Sequence, residues 1–147
     1  MILISHRGNT VGPNLSKENH PDYILDTLKQ GFDVEVDVWH TDKLMLGHDS
    51  PQYEIDEYLF FVIWGKNIWW HCKNIEALNF FKTHSYIHLN YFWHENDTIT
   101  LTSLNHTWAY PGKQPLLNSI AVMPEINNDD ISQCVGVCSD YIKNYKK

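Results

Sequence analysis

The sequence predicts an α/β fold in which mostly parallel strands close into a shortened barrel, with reduced helices in the second half. Short apolar runs rich in Ile, Val and aromatic residues recur along all 147 residues, which is typical of strands. The elements begin as β-α-β, continue as β-α-β and then become strand-rich. A complete eight-stranded barrel takes about 250 residues, so any barrel here is minimal. An open mixed sheet with two or three helices is the alternative that periodicity leaves open.

The predicted strands are short, and several are bounded by turn sequences such as Pro111-Gly112. The first run leads directly from the N-terminal residues into His6-Arg7. The nine candidate strands cover residues 2–5, 33–39, 44–47, 68–73, 86–93, 98–102, 107–110, 119–123 and 135–140.

Helical periodicity is clearest in residues 21–30. Pro21 stands near the start, Ile24 and Leu28 share an apolar face, and Gly31 marks the end. A second helix is predicted at residues 76–82, and weaker helical candidates cover residues 56–61, 129–133 and 141–146.

Composition limits the class of protein. With 43% apolar and 14% aromatic residues, the chain can bury one core, so we expect residues 1–147 to form a single domain. A formal charge of −7 argues against a broad nucleic-acid interface. Three cysteines are too few for a disulfide framework, and no apolar run approaches the roughly 20 residues that span a bilayer. The first residues are too short for a signal peptide. We therefore expect a cytoplasmic protein without a transmembrane segment.

Two carboxylates on one strand are the first chemical signal. Side chains alternate along a strand, so Glu35 and Asp37 share one face about 7 Å apart, while the valines between and around them face the other way. Two buried carboxylates repel each other and are costly to desolvate unless a cation or a basic group lies between them.

Two histidines and an arginine follow apolar runs in the same third of the chain. His6-Arg7 comes after the first predicted strand, and His48 follows the third. Barrel enzymes keep their catalytic groups at such strand ends. Imidazole moves protons near neutral pH, and a guanidinium provides a fixed fork for phosphate. These residue types predict metal-assisted cleavage of a phosphate ester.

The order of these motifs resembles the N-terminal signature of the glycerophosphodiester phosphodiesterase family. The resemblance is carried by His6-Arg7-Gly8, Glu18-Asn19, the stretch 31–38 and Gly47-His48-Asp49. It is strong over residues 1–50 and intermediate over 68–78, and the close of the chain, 136–141, is similar to the family's last barrel strand.

This resemblance implies a TIM-type (β/α)8 barrel, a bound Mg²⁺ or Ca²⁺, and hydrolysis of a phosphodiester to an alcohol and a phosphomonoester. By position, His6 and His48 become the general acid/base pair, Arg7 the phosphate clamp, and Glu35 and Asp37 metal ligands. The chain would be a minimal member, since about 22 residues separate His48 from residue 71 and leave no room for the subdomain often inserted there.

One position departs from the family pattern. Its third strand usually carries Glu-x-Lys, whereas this chain has His71-Cys72-Lys73. Lys73 keeps the phosphate-facing place, and His71 occupies the ligand position, either as a ligand or as a residue that only contacts the site. Imidazole is a poor ligand for Ca²⁺ or Mg²⁺ and favours Mn²⁺, Zn²⁺ or a weakly held Mg²⁺.

The second half offers weaker candidates. Trp108 and Glu125 stand near strand ends and are predicted to contact substrate, with core packing as the alternative for Trp108. His94 and Glu95 suggest a further carboxylate-histidine cluster or a solvated loop.

Together these features predict a metal-dependent phosphodiesterase acting on a small glycerophosphodiester-like substrate. Two alternatives stay open: hydrolysis of a phospholipid or a saccharide phosphodiester on the same fold, and a catalytically weak module that binds phosphate or a head group. Apolar surface exposed where helices are missing makes a homodimer a further expectation.

Overall fold

In a computed structural model, which describes residues 1–84 and 88–146, ten β-strands form one mixed sheet. The strands are β1 (Ile2–His6), β2 (Asp33–His40), β3 (Leu44–Leu46), β4 (Tyr53–Glu54), β5 (Ile68–Cys72), β6 (Asn90–Phe92), β7 (Ile99–Leu101), β8 (Thr107–Ala109), β9 (Ser119–Val122) and β10 (Gly136–Ser139). The α-helices are α1 (Pro21–Lys29) and α2 (Ile75–Thr83). A π-helix spans Tyr58–Ile63, and 3₁₀ turns span Gly65–Asn67, Pro124–Ile126 and Ile142–Tyr145.

Seven strands run parallel in the order β6-β5-β2-β1-β10-β9-β8. The antiparallel additions are β3 on β2, β4 on β3, and β7 on β8. The sheet curls into a half-barrel, and aromatic rings from distant strands meet on its concave face. There the ring centroids of Trp108 and Phe92 lie 4.8 Å apart.

The predicted shortened TIM-type (β/α)8 barrel is wrong. Only 24% of the chain is helical, which is too little for a helix after every strand. In the described residues, α1 connects β1 to β2 and α2 connects β5 to β6, whereas the later parallel strands are joined by loops and 3₁₀ turns. A chain of 147 residues cannot supply the helical crossovers of a complete barrel. The structure is instead the open mixed sheet with few helices.

The local predictions did better than the global one. All nine predicted strand runs contain a strand, although residues 86–87 of the run 86–93 lie outside the described residues. The structure adds β4, and the helix predicted at residues 129–133 is wrong. There Asp129 and Asp130 accept backbone N–H bonds from Gly112 and Ser132, an arrangement that competes with helix formation.

Helix boundaries follow their caps. The His20 side chain accepts from the Asp22 N–H at the start of α1, and the Asn74 side chain accepts from the Ala77 N–H at the start of α2. Asn74 also exchanges two hydrogen bonds with the backbone of His40, which ties α2 to the end of β2. No helix in the described part of the chain is long and apolar enough to cross a membrane.

The register of three strands sets up the polar site. Val34, Val36 and Val38 of β2 are fully buried in the cluster that contains α1 and α2, so Glu35 and Asp37 project from the concave face. Glu35 lies beside His6 of β1 in the ladder, and Asp37 lies beside His71 of β5.

Candidate active site

The carboxyl ends of the parallel strands open into a cavity of about 660 Å³ on the concave side. Since parallel strands present these ends at one edge of a sheet, side chains far apart in sequence meet there. The cavity wall combines basic, acidic and aromatic residues. Among them are His6, Arg7, Glu35, His48, His71, Lys73, His94, Trp108 and Tyr110.

Glu35, Asp37 and His71 form a buried cluster on β2 and β5. Their ligand atoms all lie within 4.8 Å of one another. Nδ1 of His71 is 3.1 Å from Oδ1 of Asp37 and 3.6 Å from Oε1 of Glu35. None of the three residues is more than 7% exposed. The two carboxylates thus share one imidazole in a site shielded from bulk water.

Asp37 is surrounded by basic and amide groups. Its Oδ2 lies 2.8 Å from Nε of Arg7 and accepts a 2.9 Å hydrogen bond from Nδ2 of Asn19, while Oδ1 lies 3.5 Å from Nζ of Lys73. Burial raises the pKa of the Asp37 carboxyl, but His71, Arg7 and Lys73 outweigh burial and hold it well below its usual range. Asp37 is therefore ionised at any physiological pH.

Several buried atoms of the cluster have no hydrogen-bond partner among the described residues. They are Oε2 of Glu35 and Nε2 of His71, whereas Oδ1 of Asp37 has only its ion-pair contacts with His71 and Lys73. Buried polar atoms are normally paired, so the orphaned Glu35 oxygen indicates a place for a positively charged ligand. Burial lowers the pKa of His71, but the two carboxylates outweigh burial and raise it. The cluster thus favours positive charge, and two carboxylates with one imidazole fit a divalent cation.

His6 is oriented by the last strand of the sheet. Nδ1 of His6 lies 2.8 Å from Oδ1 of Asp140, directly after β10, and Nε2 lies 3.9 Å from Oε2 of Glu35. Burial lowers the pKa of His6, but the hydrogen bond to Asp140 and the charge of Glu35 outweigh burial and raise it above 6.5. This arrangement leaves Nε2 as the nitrogen directed at the site.

His48 occupies the rim of the cavity. It follows β3 and is half exposed, and its Nδ1 lies 2.7 Å from Oδ1 of the exposed Asp49. Before it, Gly47 adopts φ +152°, and its carbonyl accepts a 2.6 Å hydrogen bond from the Trp39 indole. This turn places a solvent-accessible imidazole on the same cavity as the buried His6.

An aromatic wall faces the basic residues. Trp108 is buried against Trp69 and Phe92 and also lines the cavity. His94 stacks on His71 with ring centroids 4.4 Å apart, and its Nε2 contacts the hydroxyl of Tyr110. Burial, with the charges of His71 and Lys73, lowers the pKa of His94 to about 4. His94 is therefore a neutral part of the wall at pH 7.

The structure brings most of the predicted site residues together. His6, Arg7, Glu35, His48, His71, Lys73 and Trp108 all line the cavity, and Asp37 lies directly behind it. Glu125 does not join them. It is exposed, and its carboxylate accepts hydrogen bonds from Ser139 and Tyr145 instead. Glu125 belongs to the 3₁₀ turn Pro124–Ile126 and is not among the residues that line the cavity, so its contact with substrate stays a prediction.

Three residues that organise this site received no site role from the sequence. The side-chain amide of Asn19 donates to Oδ2 of Asp37 and accepts from the backbone N–H of Asp37. The carboxylate of Asp140 orients the His6 ring. For His94 the sequence predicts either a carboxylate-histidine cluster or a solvated loop. Asp140 directly follows β10 and His94 lies two residues after β6, so the strand-end rule that found His48 also applies to them. Asn19 lies in an irregular loop, and only the Glu18-Asn19 motif of the family resemblance pointed to it.

No protein-family model matches the chain, and neither a curated protein nor a solved structure matches it.

Proposed function

We propose that the protein is a metal-dependent phosphodiesterase, similar to glycerophosphodiester phosphodiesterases, that hydrolyses a small glycerophosphodiester-like substrate to an alcohol and glycerol phosphate. One observation carries the proposal. A buried Glu35-Asp37-His71 cluster, in which Oε2 of Glu35 has no hydrogen-bond partner, borders the same cavity as His6 and two cationic side chains, Arg7 and Lys73. Metal-assisted cleavage of a phosphate ester uses these three elements together: cation ligands, fixed positive charge and proton-transfer groups.

Three residues would hold a divalent cation, namely Glu35, Asp37 and His71. When bound there, the cation would neutralise charge on the phosphoryl oxygens and activate the phosphorus toward attack. Arg7 and Lys73 stand beside Asp37 at 2.8 Å and 3.5 Å. Their remaining N–H groups can bind the other phosphoryl oxygens. The phosphate group would thus be oriented from several sides at once.

His6 and His48 are suited to the two proton transfers. Asp140 holds Nδ1 of His6, so Nε2 is directed toward the cavity and can exchange a proton with the substrate. His48 stands at the accessible rim, where it can transfer a proton to or from the other reacting oxygen of the substrate and exchange protons with solvent. One imidazole assists the attacking oxygen while the other protonates the leaving alkoxide.

The proposed substrate is small, and the proposed location is the cytoplasm. A cavity of about 660 Å³ accommodates a phosphodiester with two short substituents. Cys72, Cys134 and Cys138 are free in the structure, as suits a reducing compartment. The net charge of −7 disfavours a nucleic-acid substrate.

The test is a hydrolysis assay on the purified chain. Glycerophosphocholine, glycerophosphoethanolamine and an aryl phosphodiester are each incubated with a chelator or with added Mg²⁺, Mn²⁺, Zn²⁺ or Ca²⁺. We expect metal-dependent release of glycerol phosphate from the first two substrates. His6→Ala and His48→Ala should each lower kcat about 10²- to 10⁴-fold. His88→Ala, at an exposed position outside this cavity, is the matched control and should leave kcat unchanged.

The outcomes separate the three functions. Turnover of a phospholipid or saccharide phosphodiester, but not of glycerophosphodiesters, would show that the protein is a phosphodiesterase with a different substrate class. Saturable binding of glycerophosphodiesters without turnover under any metal would favour the head-group-binding module. Turnover that survives both histidine variants would refute the catalytic roles.

A further inference from the structure

We propose that the cation held by Glu35, Asp37 and His71 is a transition ion of the Mn²⁺ to Zn²⁺ series, bound through Nδ1 of His71, rather than Mg²⁺ or Ca²⁺. The inference deepens the proposed function and rests on it for the catalytic role of the cation. It makes its own prediction about metal binding, which can be measured without substrate.

The donor atoms have the spacing of ligands on one small ion. Two donors about 2.1 Å from the same ion are separated by about 3 Å when their bonds make a right angle. Nδ1 of His71 lies 3.1 Å from Oδ1 of Asp37 and 3.6 Å from Oε1 of Glu35. Nδ1 is thus the imidazole nitrogen that faces both carboxylates, and small adjustments would suffice to bind an ion between the three.

Too few oxygen donors are free for Ca²⁺. That ion takes about six to eight oxygen ligands. Oδ2 of Asp37 is already engaged by Arg7 and Asn19. The cluster then offers Oδ1 of Asp37 and the two oxygens of Glu35. A site with three carboxylate oxygens and a nitrogen is close to the four-coordinate or partly open sites of Zn²⁺ and related ions.

Local charge also works against a hard cation. Mg²⁺ and Ca²⁺ bind chiefly through the negative charge of their ligands. In this site Arg7 and Lys73 lie within 2.8 Å and 3.5 Å of Asp37, and Arg7 also pairs with Glu18 at 3.3 Å, so part of the carboxylate charge is already compensated. A transition ion draws additional binding energy from its bond to imidazole nitrogen, and this contribution is less sensitive to the charge balance.

The imidazole is held in place by its neighbours. Its ring lies between Phe92, at a centroid distance of 5.0 Å and an interplanar angle of 7°, and His94, at 4.4 Å and 14°. This sandwich fixes the plane of the His71 ring and therefore the direction of the Nδ1 lone pair. A ligand with a fixed lone pair selects among metals by geometry as well as by affinity.

Competition with a chromophoric chelator measures the affinities of the full chain for Zn²⁺, Mn²⁺, Mg²⁺ and Ca²⁺. Because Zn²⁺ outcompetes Mg²⁺ at most nitrogen- and oxygen-containing sites, the decisive quantity is the change on substitution. His71→Glu should lower the ratio of Zn²⁺ to Mg²⁺ affinity about 10- to 100-fold and should tighten Ca²⁺ binding. His88→Gln, at an exposed position outside the cavity, should change neither value. An unchanged ratio in His71→Glu overturns the proposal.

A measurement on the unaltered chain guards against a variant that fails to fold. Pulsed electron paramagnetic resonance of the protein loaded with Mn²⁺ should show nitrogen modulation from a directly bound imidazole. Its absence at a stoichiometric Mn²⁺ site overturns the proposal. Nitrogen coordination without hydrolysis would uphold this inference and refute the proposed function. Hydrolysis supported by Mg²⁺ or Ca²⁺ bound only through oxygen would do the reverse.

Discussion

Asp37 contacts four polar side chains of the site, those of Arg7, Asn19, His71 and Lys73. Its carboxylate is fully buried and is compensated by neighbours from three different segments of the chain. A buried charge is tolerated only when it is paired and hydrogen-bonded, and loss of one partner leaves the rest uncompensated. Stability and chemistry are therefore coupled at this residue.

Asn19→Ala should be strongly destabilising. Asn19 donates to Oδ2 of Asp37 and accepts from the Asp37 N–H, each at 2.9 Å, and its backbone is left-handed at φ +61°. Loss of both hydrogen bonds and strain on alanine should together lower the free energy of unfolding by about 3 kcal/mol in urea titrations. Asn19→Gly relieves the strain and should recover about 1 kcal/mol.

Asn118→Ala is the matched control, because Asn118 is exposed and has a similar φ of +56°. Its free energy of unfolding should fall only by the cost of a left-handed alanine backbone, about 1 kcal/mol. Equal losses in Asn19→Ala and Asn118→Ala would show that the contacts to Asp37 contribute little.

The His6-Asp140 pair should stabilise the fold over a defined pH window. The raised pKa of His6 means that its contribution is complete below 6.5 and is lost as the pH rises through the folded-state value. Asp140 has a lowered pKa, because the hydrogen bond and charge of His6 outweigh its burial, so its contribution is present above 3.8 and is lost below it. Asp140→Asn should therefore lower the free energy of unfolding most between pH 4 and 6.5, by about 1–2 kcal/mol.

Urea unfolding at several pH values with a chelator present measures this difference. Asp49→Asn serves as control, because the His48-Asp49 pair has a similar distance of 2.7 Å but is exposed to solvent. Its effect should stay within a few tenths of a kcal/mol. If the loss of unfolding free energy in Asp140→Asn instead grows above pH 7, the pair does not stabilise the fold through protonated His6.

At the scale of elements, β2 shows what local sequence can specify. The alternation of valine with Glu35 and Asp37 predicted both the strand and the shared face of the two carboxylates, since both depend only on neighbours along the chain. The partners of these residues are distant. Asn19 lies 18 positions from Asp37, and Asp140 lies 134 positions from His6. Such pairings depend on strand order, which local periodicity does not encode.

The turn after β3 determines the position of His48, and Gly47→Ala should disrupt it. A Cβ at Gly47 would lie 2.1 Å from the carbonyl oxygen of Ser50, and φ is +152°. We expect the free energy of unfolding to fall by about 2–3 kcal/mol and kcat in the proposed reaction to fall with it. Gly31→Ala provides the comparison, since φ is +86° there but nothing lies within 4 Å.

Gly31→Ala should cost about 1 kcal/mol and leave kcat unchanged. Urea titration and steady-state kinetics on both variants separate the steric effect from backbone strain. If Gly47→Ala is no worse than Gly31→Ala in both measurements, the turn does not position His48 rigidly.

For the whole molecule, the incorrect barrel prediction has an identifiable cause. Seven parallel strands occur in an order that a barrel would also use, so strand count and family resemblance both pointed to closure. The later crossovers lack α-helices in the described residues, and β7 adds to β8 in the antiparallel direction. Chain length argued more strongly against a closed barrel, because it limits how many helices can cover the sheet.

The homodimer expected from the sequence stays a prediction. Tyr58, Val62 and Ile63 are exposed on the π-helix, within six residues. Burying such a patch favours self-association. Sedimentation equilibrium should therefore show a dimer, and Val62→Asp should shift it toward monomer without lowering the melting temperature. A monomer at every concentration would contradict the expectation.

The pairing of β1 with β10 has a consequence for synthesis of the chain on the ribosome. These two strands form a parallel ladder, and His6 is oriented by a carboxylate that is translated 134 residues later. Until the segment around Asp140 leaves the exit tunnel, the nascent chain can contain every proposed cation ligand and still lack the neighbour that orients His6. The proposed catalytic activity should therefore arise only after Asp140 has left the ribosome, rather than growing gradually during translation.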